Sequence, residues 1–110
     1  MKKNKTYVFD LDNTLCSTEG SNYEKSYPLE NRIEIVNQLY DEGNYIIINT
    51  ARGMGRSKNN IAMANSMLFD FTKNQIEAWG LKYHLLFLGK PAGDFYIDDK
   101  GINSEDFFTD

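Results

Sequence analysis

The run Tyr45-Ile46-Ile47-Ile48-Asn49 constrains the fold more than any other stretch, because it is β-branched and apolar on both of the faces that a strand alternates. A strand with one wet face would alternate apolar and polar residues. One that is apolar on both faces needs cover on both, which is the place of a central parallel strand between helices. The flanks agree: Pro28 to Glu42 sets Leu29, Ile33, Val36, Leu39 and Tyr40 at helical spacing and stops at Gly43-Asn44. Thr6 to Phe9, Tyr83 to Leu88 and Asp94 to Ile97 read as three further strands.

Between the second and third of these four strands, Gly53 to Asn60 is polar and basic and reads as a loop or the approach to a helix. Ile61 to Phe69 is expected as a short helix with Ile61, Ala64 and Leu68 inward and Met63 and Met67 filling gaps in the packing. A second helix follows, with Thr72 and Gln75 at capping-box spacing, Ile76 and Trp79 on one face and Gly80 closing it. Ser104 to Asp110 is expected as a short helix or turn. This order of elements predicts an α/β fold, a Rossmann-like three-layer sandwich around a mostly parallel sheet. At 110 residues there is room for one domain, spanning 1–110, and for no large cap between Leu15 and Pro28 or between Thr50 and Lys90. The polar stretch 13–27 is long for a simple connection and reads as a flap over the end of the first strand.

Ligands of open α/β sheets bind outside the carboxyl ends of the strands. Each unusual polar cluster of this chain falls at such an end: Asp10 and Asp12, Thr50 and Arg52, Lys90, and Asp98 with Asp99. Asp10 and Asp12 would share a face if the strand ran that far, and two acids so placed resist joint ionisation unless a cation or a shared proton compensates. Taken alone the pair is also open to a second reading, a strand end shaped by local hydrogen bonds. Arg52 could bind phosphate or a substrate carboxylate, or form a surface ion pair. Asn13 is expected to shape the turn, and Arg56 and Lys58 to be solvated. His84, the one histidine, has no acid or serine partner in view and reads as structural.

Composition narrows the classes. A net charge of -4 and a pI near 4.9 weigh against general binding to nucleic acid or anionic membrane. The longest apolar runs are far too short to span a bilayer, and the basic opening Met1-Lys2-Lys3-Asn4-Lys5 leads to Asp10 before any signal-peptide core, so the cytoplasm is the expected compartment. The single cysteine, Cys16, excludes an intrachain disulfide and a multi-cysteine zinc site and is expected to be structural.

Asp10-Leu11-Asp12-Asn13-Thr14, Thr50 after its apolar strand, Lys90 and Tyr96-Ile97-Asp98-Asp99 resemble, in order, the four motifs of the haloacid dehalogenase-like phosphohydrolases. The phrases Asn49-Thr50-Ala51-Arg52, Leu88-Gly89-Lys90-Pro91 and Phe95 to Lys100 look like the small capless phosphatases of bacterial capsule and surface-polysaccharide biosynthesis. The resemblance implies that Asp10 is the nucleophile of an aspartyl-phosphate pathway and Asp12 the general acid and then base. It implies that Thr50 and Lys90, with Arg52, hold phosphate or substrate, and that Mg²⁺ is held by Asp10, Asp12, Asp99 and Asp98, with Asp99 favoured over Asp98 as the direct ligand. A small phosphate monoester, a sugar phosphate or related metabolite, is the implied partner, in a site that is open or closed by another subunit. Two other readings stand beside it: a phosphate- or metal-binding module without turnover, and a phosphatase acting on nucleotide or polynucleotide ends. Transfer to an acceptor other than water is disfavoured by the lack of a water-excluding cap.

Overall fold

The computed structural model describes residues 4–109; the basic opening at Met1 to Lys3 and the last residue of the tail, Asp110, lie outside the described residues. Strand β1 spans Thr6–Phe9, β2 Cys16–Ser17 and β3 Tyr27–Pro28; helix α1 spans Glu30–Asp41, strand β4 Tyr45–Thr50, helix α2 Ile61–Ala78, strand β5 Leu85–Leu88 and helix α3 Ser104–Phe108. The main sheet has the order β1-β4-β5 with both pairings parallel. The doubly apolar run is thus the central strand, with Ile46 and Ile48 fully buried. β2 and β3 pair antiparallel as a small ribbon at the two ends of the 13–27 excursion. This is an α/β fold with a parallel three-stranded sheet, and no cap domain is inserted among the described residues.

Register places the functional ends side by side. Phe9 pairs with Ile48 and Thr50 with Leu88, so β1, β4 and β5 release Asp10, Ala51 and Gly89 along one edge of the sheet. The core beneath consists of Phe9, Leu11, Leu15, Ile33, Val36, Ile46, Ile48, Ile76 and Leu81, closed by Phe108 from α3. Phe107 and Phe108 stack against Tyr7 and Phe9 at centroid distances of 5.7 to 6.1 Å, so α3 covers β1.

Three expectations are corrected. Asp94 to Ile97 forms no strand: Phe95 and Ile97 are 84% and 96% exposed. The Tyr96 hydroxyl instead donates to Pro91 O (2.6 Å) and accepts from Gly93 N (3.2 Å), local bonds that fold the segment back on itself. The two helices expected from Ile61 to Gly80 are one, because Thr72 is a buried residue inside α2 and not a cap. Ile61, Met63 and Met67 lie on its exposed side, leaving Ala64, Thr72 and Ile76 as its buried face. His84 is structural as expected: its ring stacks on Tyr40 and Tyr45, and Nδ1 accepts from Ile46 N (3.0 Å).

Candidate active site

Beyond Phe9 the chain coils once, with the amides of Thr14, Leu15 and Cys16 all converging on Leu11 O at 3.1, 2.8 and 3.3 Å. Asn13 takes a left-handed φ of 60°, which asparagine tolerates, and its Oδ1 accepts from Thr18 N (3.0 Å). It shapes the turn, as expected. Leu11, Leu15 and Cys16 are fully buried, so this coil is anchored by apolar side chains while Asp10 and Asp12 stand at its rim.

Asp10 is half-buried. Lys90 Nζ lies 3.7 Å from its Oδ1, and the Thr14 hydroxyl donates weakly to Oδ2 at 3.4 Å. Burial pushes the Asp10 carboxyl above the ordinary carboxylate range and the neighbouring Asp12 charge adds to this, while Lys90, the Leu11 amide and Thr14 oppose it. A carboxylate held there carries charge that its surroundings only partly compensate. Lys90 reaches it from the end of β5, where its own amide donates to Thr50 O (3.3 Å) and its ammonium also covers the Tyr96 ring at 4.4 Å.

Asp12 is held far more tightly. Arg52 Nε donates to its Oδ2 (3.0 Å), Arg52 Nη2 to Oδ1 (2.9 Å) and the Thr18 hydroxyl to Oδ1 (2.6 Å). With its proton spent on Asp12, the Thr18 oxygen is the acceptor of its 2.6 Å contact with Ser26, whose hydroxyl must donate. The Cys16 thiol also reaches Asp12 Oδ1 at 3.6 Å. Burial raises the Cys16 pKa, so the thiol stays protonated and unreactive, a structural residue as expected.

Arg52 differs from its expected role. At 1% exposure it is no surface ion pair, and it is no free phosphate fork, because each of its three guanidinium nitrogens already donates within the protein. Besides the two bonds to Asp12, Nη1 donates to Gln75 Oε1 (2.7 Å) and to the Thr72 hydroxyl (3.3 Å), and the Tyr23 ring lies over the guanidinium at 4.6 Å. A buried cation demands such saturation. Among the described residues no buried side-chain nitrogen or oxygen lacks a partner.

Thr50 ends β4 in full burial, and its hydroxyl oxygen accepts from Arg52 N (3.2 Å), leaving the hydroxyl proton to donate. The loop then turns at Gly53, whose φ of +79° and 3.1 Å clearance from Ala64 on α2 leave no room for a side chain. Asp10, Asp12, Thr50, Arg52 and Lys90 therefore share one end of the sheet. Asp98 and Asp99 do not join them: both are exposed, and Asp98 Oδ1 accepts from Lys100 N (2.9 Å) and Gly101 N (2.6 Å) in a local turn. Among the described residues no three of His, Cys, Asp and Glu gather into a metal-holding group.

Thr18, Ser26, Tyr23, Thr72 and Gln75 were not expected at the site. Thr72 and Gln75 did carry a signal, a polar pair three residues apart that falls on one face of a helix, but that spacing also fits a helix cap.

No protein-family model matches the chain, and a search of curated proteins returns no match. Among solved structures, the chain is similar to a crystal structure of a target protein from Vibrio cholerae, at 28% identity and a TM-score of 0.87 over 96% of this chain and 88% of that one. That likeness supports the α/β fold. No helix among the described residues is long and apolar enough to cross a membrane.

Proposed function

We propose that this chain is a phosphohydrolase that splits a phosphate monoester through an aspartyl-phosphate on Asp10, built on a Rossmann-like domain of which the parallel sheet is the centre. The observation that carries the reading is the pairing of a half-buried, under-compensated Asp10 with Lys90 at 3.7 Å, beside an Asp12 immobilised by a buried arginine. A carboxylate with raised proton affinity beside a cation is a receptive place for a phosphoryl group, whose negative oxygens Lys90 and the Thr50 hydroxyl can meet.

In the first half-reaction an Asp10 oxygen attacks phosphorus, the P–O bond to the alcohol breaks, and Asp12, ionised at rest beside Arg52, relays a proton that arrives on the phosphate monoester to the departing oxygen. In the second, Asp12 takes a proton from water, the water oxygen bonds to phosphorus, and the Asp10 O–P bond breaks to return the carboxylate and release phosphate. Arg52 keeps Asp12 pointed at the departing and entering oxygens and does not itself bind phosphate.

Hard oxygen donors suit Mg²⁺, which commonly uses only one or two protein carboxylates and completes its shell with phosphate and water. Asp10 fits that part, since its burial leaves a charge that a cation would relieve, whereas the Asp12 carboxylate is committed to Arg52, and the resemblance implies the backbone carbonyl at that position in its place. When bound, the ion neutralises phosphate charge. The resemblance favours a sugar phosphate or related small metabolite of surface-polysaccharide assembly as substrate.

Phosphate release from sugar phosphates, nucleotides and an aryl phosphate, with Mg²⁺ and with EDTA, tests the proposal. Asp10→Asn is expected to abolish release while the fold persists, and a beryllofluoride adduct is expected on wild-type Asp10. Release that continues undiminished in pure Asp10→Asn would overturn it.

A further inference from the structure

The flap and the buried ion pair are joined through one side chain. Gln75 of α2 accepts from Arg52 Nη1 through Oε1 (2.7 Å) and donates from Nε2 to the backbone carbonyl of Tyr23 (2.7 Å), in the short 3₁₀ turn Tyr23–Lys25 of the flap. A second, independent contact runs in parallel: the Tyr23 ring covers the Arg52 guanidinium at 4.6 Å. Arg52 in turn holds both oxygens of Asp12.

Resting on the phosphatase reading above, we propose that Gln75 and Tyr23 act as positioning residues, a strut that sets Asp12 through Arg52 only when the flap is docked. A primary amide is suited to this, because it donates on one side and accepts on the other in a fixed plane. With the flap lifted, Arg52 loses its ring cover and the amide loses its anchor, and the guanidinium gains freedom to leave Asp12. Misplacing a proton-transfer group by a fraction of an ångström is costly to rate and nearly neutral to binding. The strut therefore acts on the proton-transfer steps and leaves substrate binding alone, and the flap becomes a device that readies Asp12 after a substrate is covered.

The test uses ¹⁵N-labelled full chain, comparing wild type with Gln75→Leu, which removes both bonds, and Gln75→Glu, which keeps an acceptor for Arg52 but has no hydrogen for Tyr23 O. In Gln75→Leu the Lys25 and Ser26 amides of the flap are expected to exchange about fivefold faster, and the protected Arg52 Nε–H signal to broaden or move. Gln75→Glu is expected to free the flap amides while sparing the Arg52 signal. In kinetics, Gln75→Leu is expected to lower kcat on an alkyl phosphate about tenfold with KM unchanged. On an aryl phosphate, which leaves without help, it should give a burst near one equivalent of aryl alcohol followed by slow turnover, because water activation still needs Asp12. Unchanged flap exchange and an unchanged Arg52 signal in Gln75→Leu would overturn the strut. Altered signals with wild-type kcat and no burst would overturn its effect on Asp12. Wild-type release that does not depend on Asp10 would instead sink the phosphatase reading, and the exchange and Nε–H data would still decide the strut.

Discussion

Two polar regions flank the same sheet edge, and they are held in opposite ways. On the flap side, Asp12 is bonded to Arg52, Arg52 to Thr72 and Gln75, and Gln75 to Tyr23, partners separated by twenty to fifty-two residues along the chain. On the other side, anchors across the fold stop at Lys90 and Ala92, whose amides donate to Thr50 O and Asn59 Oδ1; from Gly93 to Asn103, Tyr96 bonds to Pro91 and Gly93 and Asp98 to Lys100 and Gly101, all within five residues. A bond between near neighbours forms whether or not the rest of the chain is in place, so it fixes a turn without fixing where the turn lies. A bond across the fold ties position to folding. The contrast separates carboxylates that the tertiary structure has placed from carboxylates that are only present.

Substitutions can break that contrast, and the largest effect belongs to the buried ion pair. Arg52→Ala strands the Asp12 carboxylate and leaves Thr72 and Gln75 without their donor, and is expected to cost about 3 kcal/mol in urea unfolding. Thr18→Val removes the 2.6 Å bond to Asp12 and the acceptor for Ser26, with an expected cost of about 1.5 kcal/mol. A smaller, pH-dependent effect attends Asp10→Asn in EDTA. The folded protein raises the Asp10 pKa by burial, so it holds that proton more firmly than the unfolded chain, and wild type loses stability as pH rises through the raised value. Asparagine has no such charge to bury. The variant's advantage is therefore absent below the ordinary carboxylate range and full above the raised value, as thermal melts across that range would show. Smallest is Asp98→Ala, expected to stay within about 0.5 kcal/mol because it removes only a local turn on an exposed segment. If Asp98→Ala cost as much as Arg52→Ala, the distinction between the two regions would be wrong.

What the chain reveals before folding follows the same division. β1, β4 and β5 were legible because each is a short apolar run ended by polar residues, and the central place of β4 followed from its two apolar faces. Asp94 to Ile97 was misread because an apolar pattern states what a segment could bury, not whether a neighbouring edge receives it; here Tyr96 found its partners nearby. At the site, strand ends alone put Asp10 and Lys90 on one sheet edge, though not in contact; the ion pair between them came from the fold. Arg52 could not be assigned, because the same residue reads as a phosphate ligand until Thr72 and Gln75 appear beneath it. Those two mimicked a helix cap, since three-residue spacing serves a capping box and a helix face alike. Burial decided between them.

The stacking of Phe107 and Phe108 on Tyr7 and Phe9 has a consequence for synthesis on the ribosome. β1 is made well before α3, yet the aromatic cover of one is the other, and Arg32 reaches both Phe108 at 4.8 Å and Glu105 at 3.4 Å to close the join. Until α3 clears the exit tunnel, the Tyr7 and Phe9 rings of β1 lack this cover. Truncation just before Phe107 is therefore expected to favour aggregation over a trimmed, folded domain, as light scattering and yield of soluble protein would show.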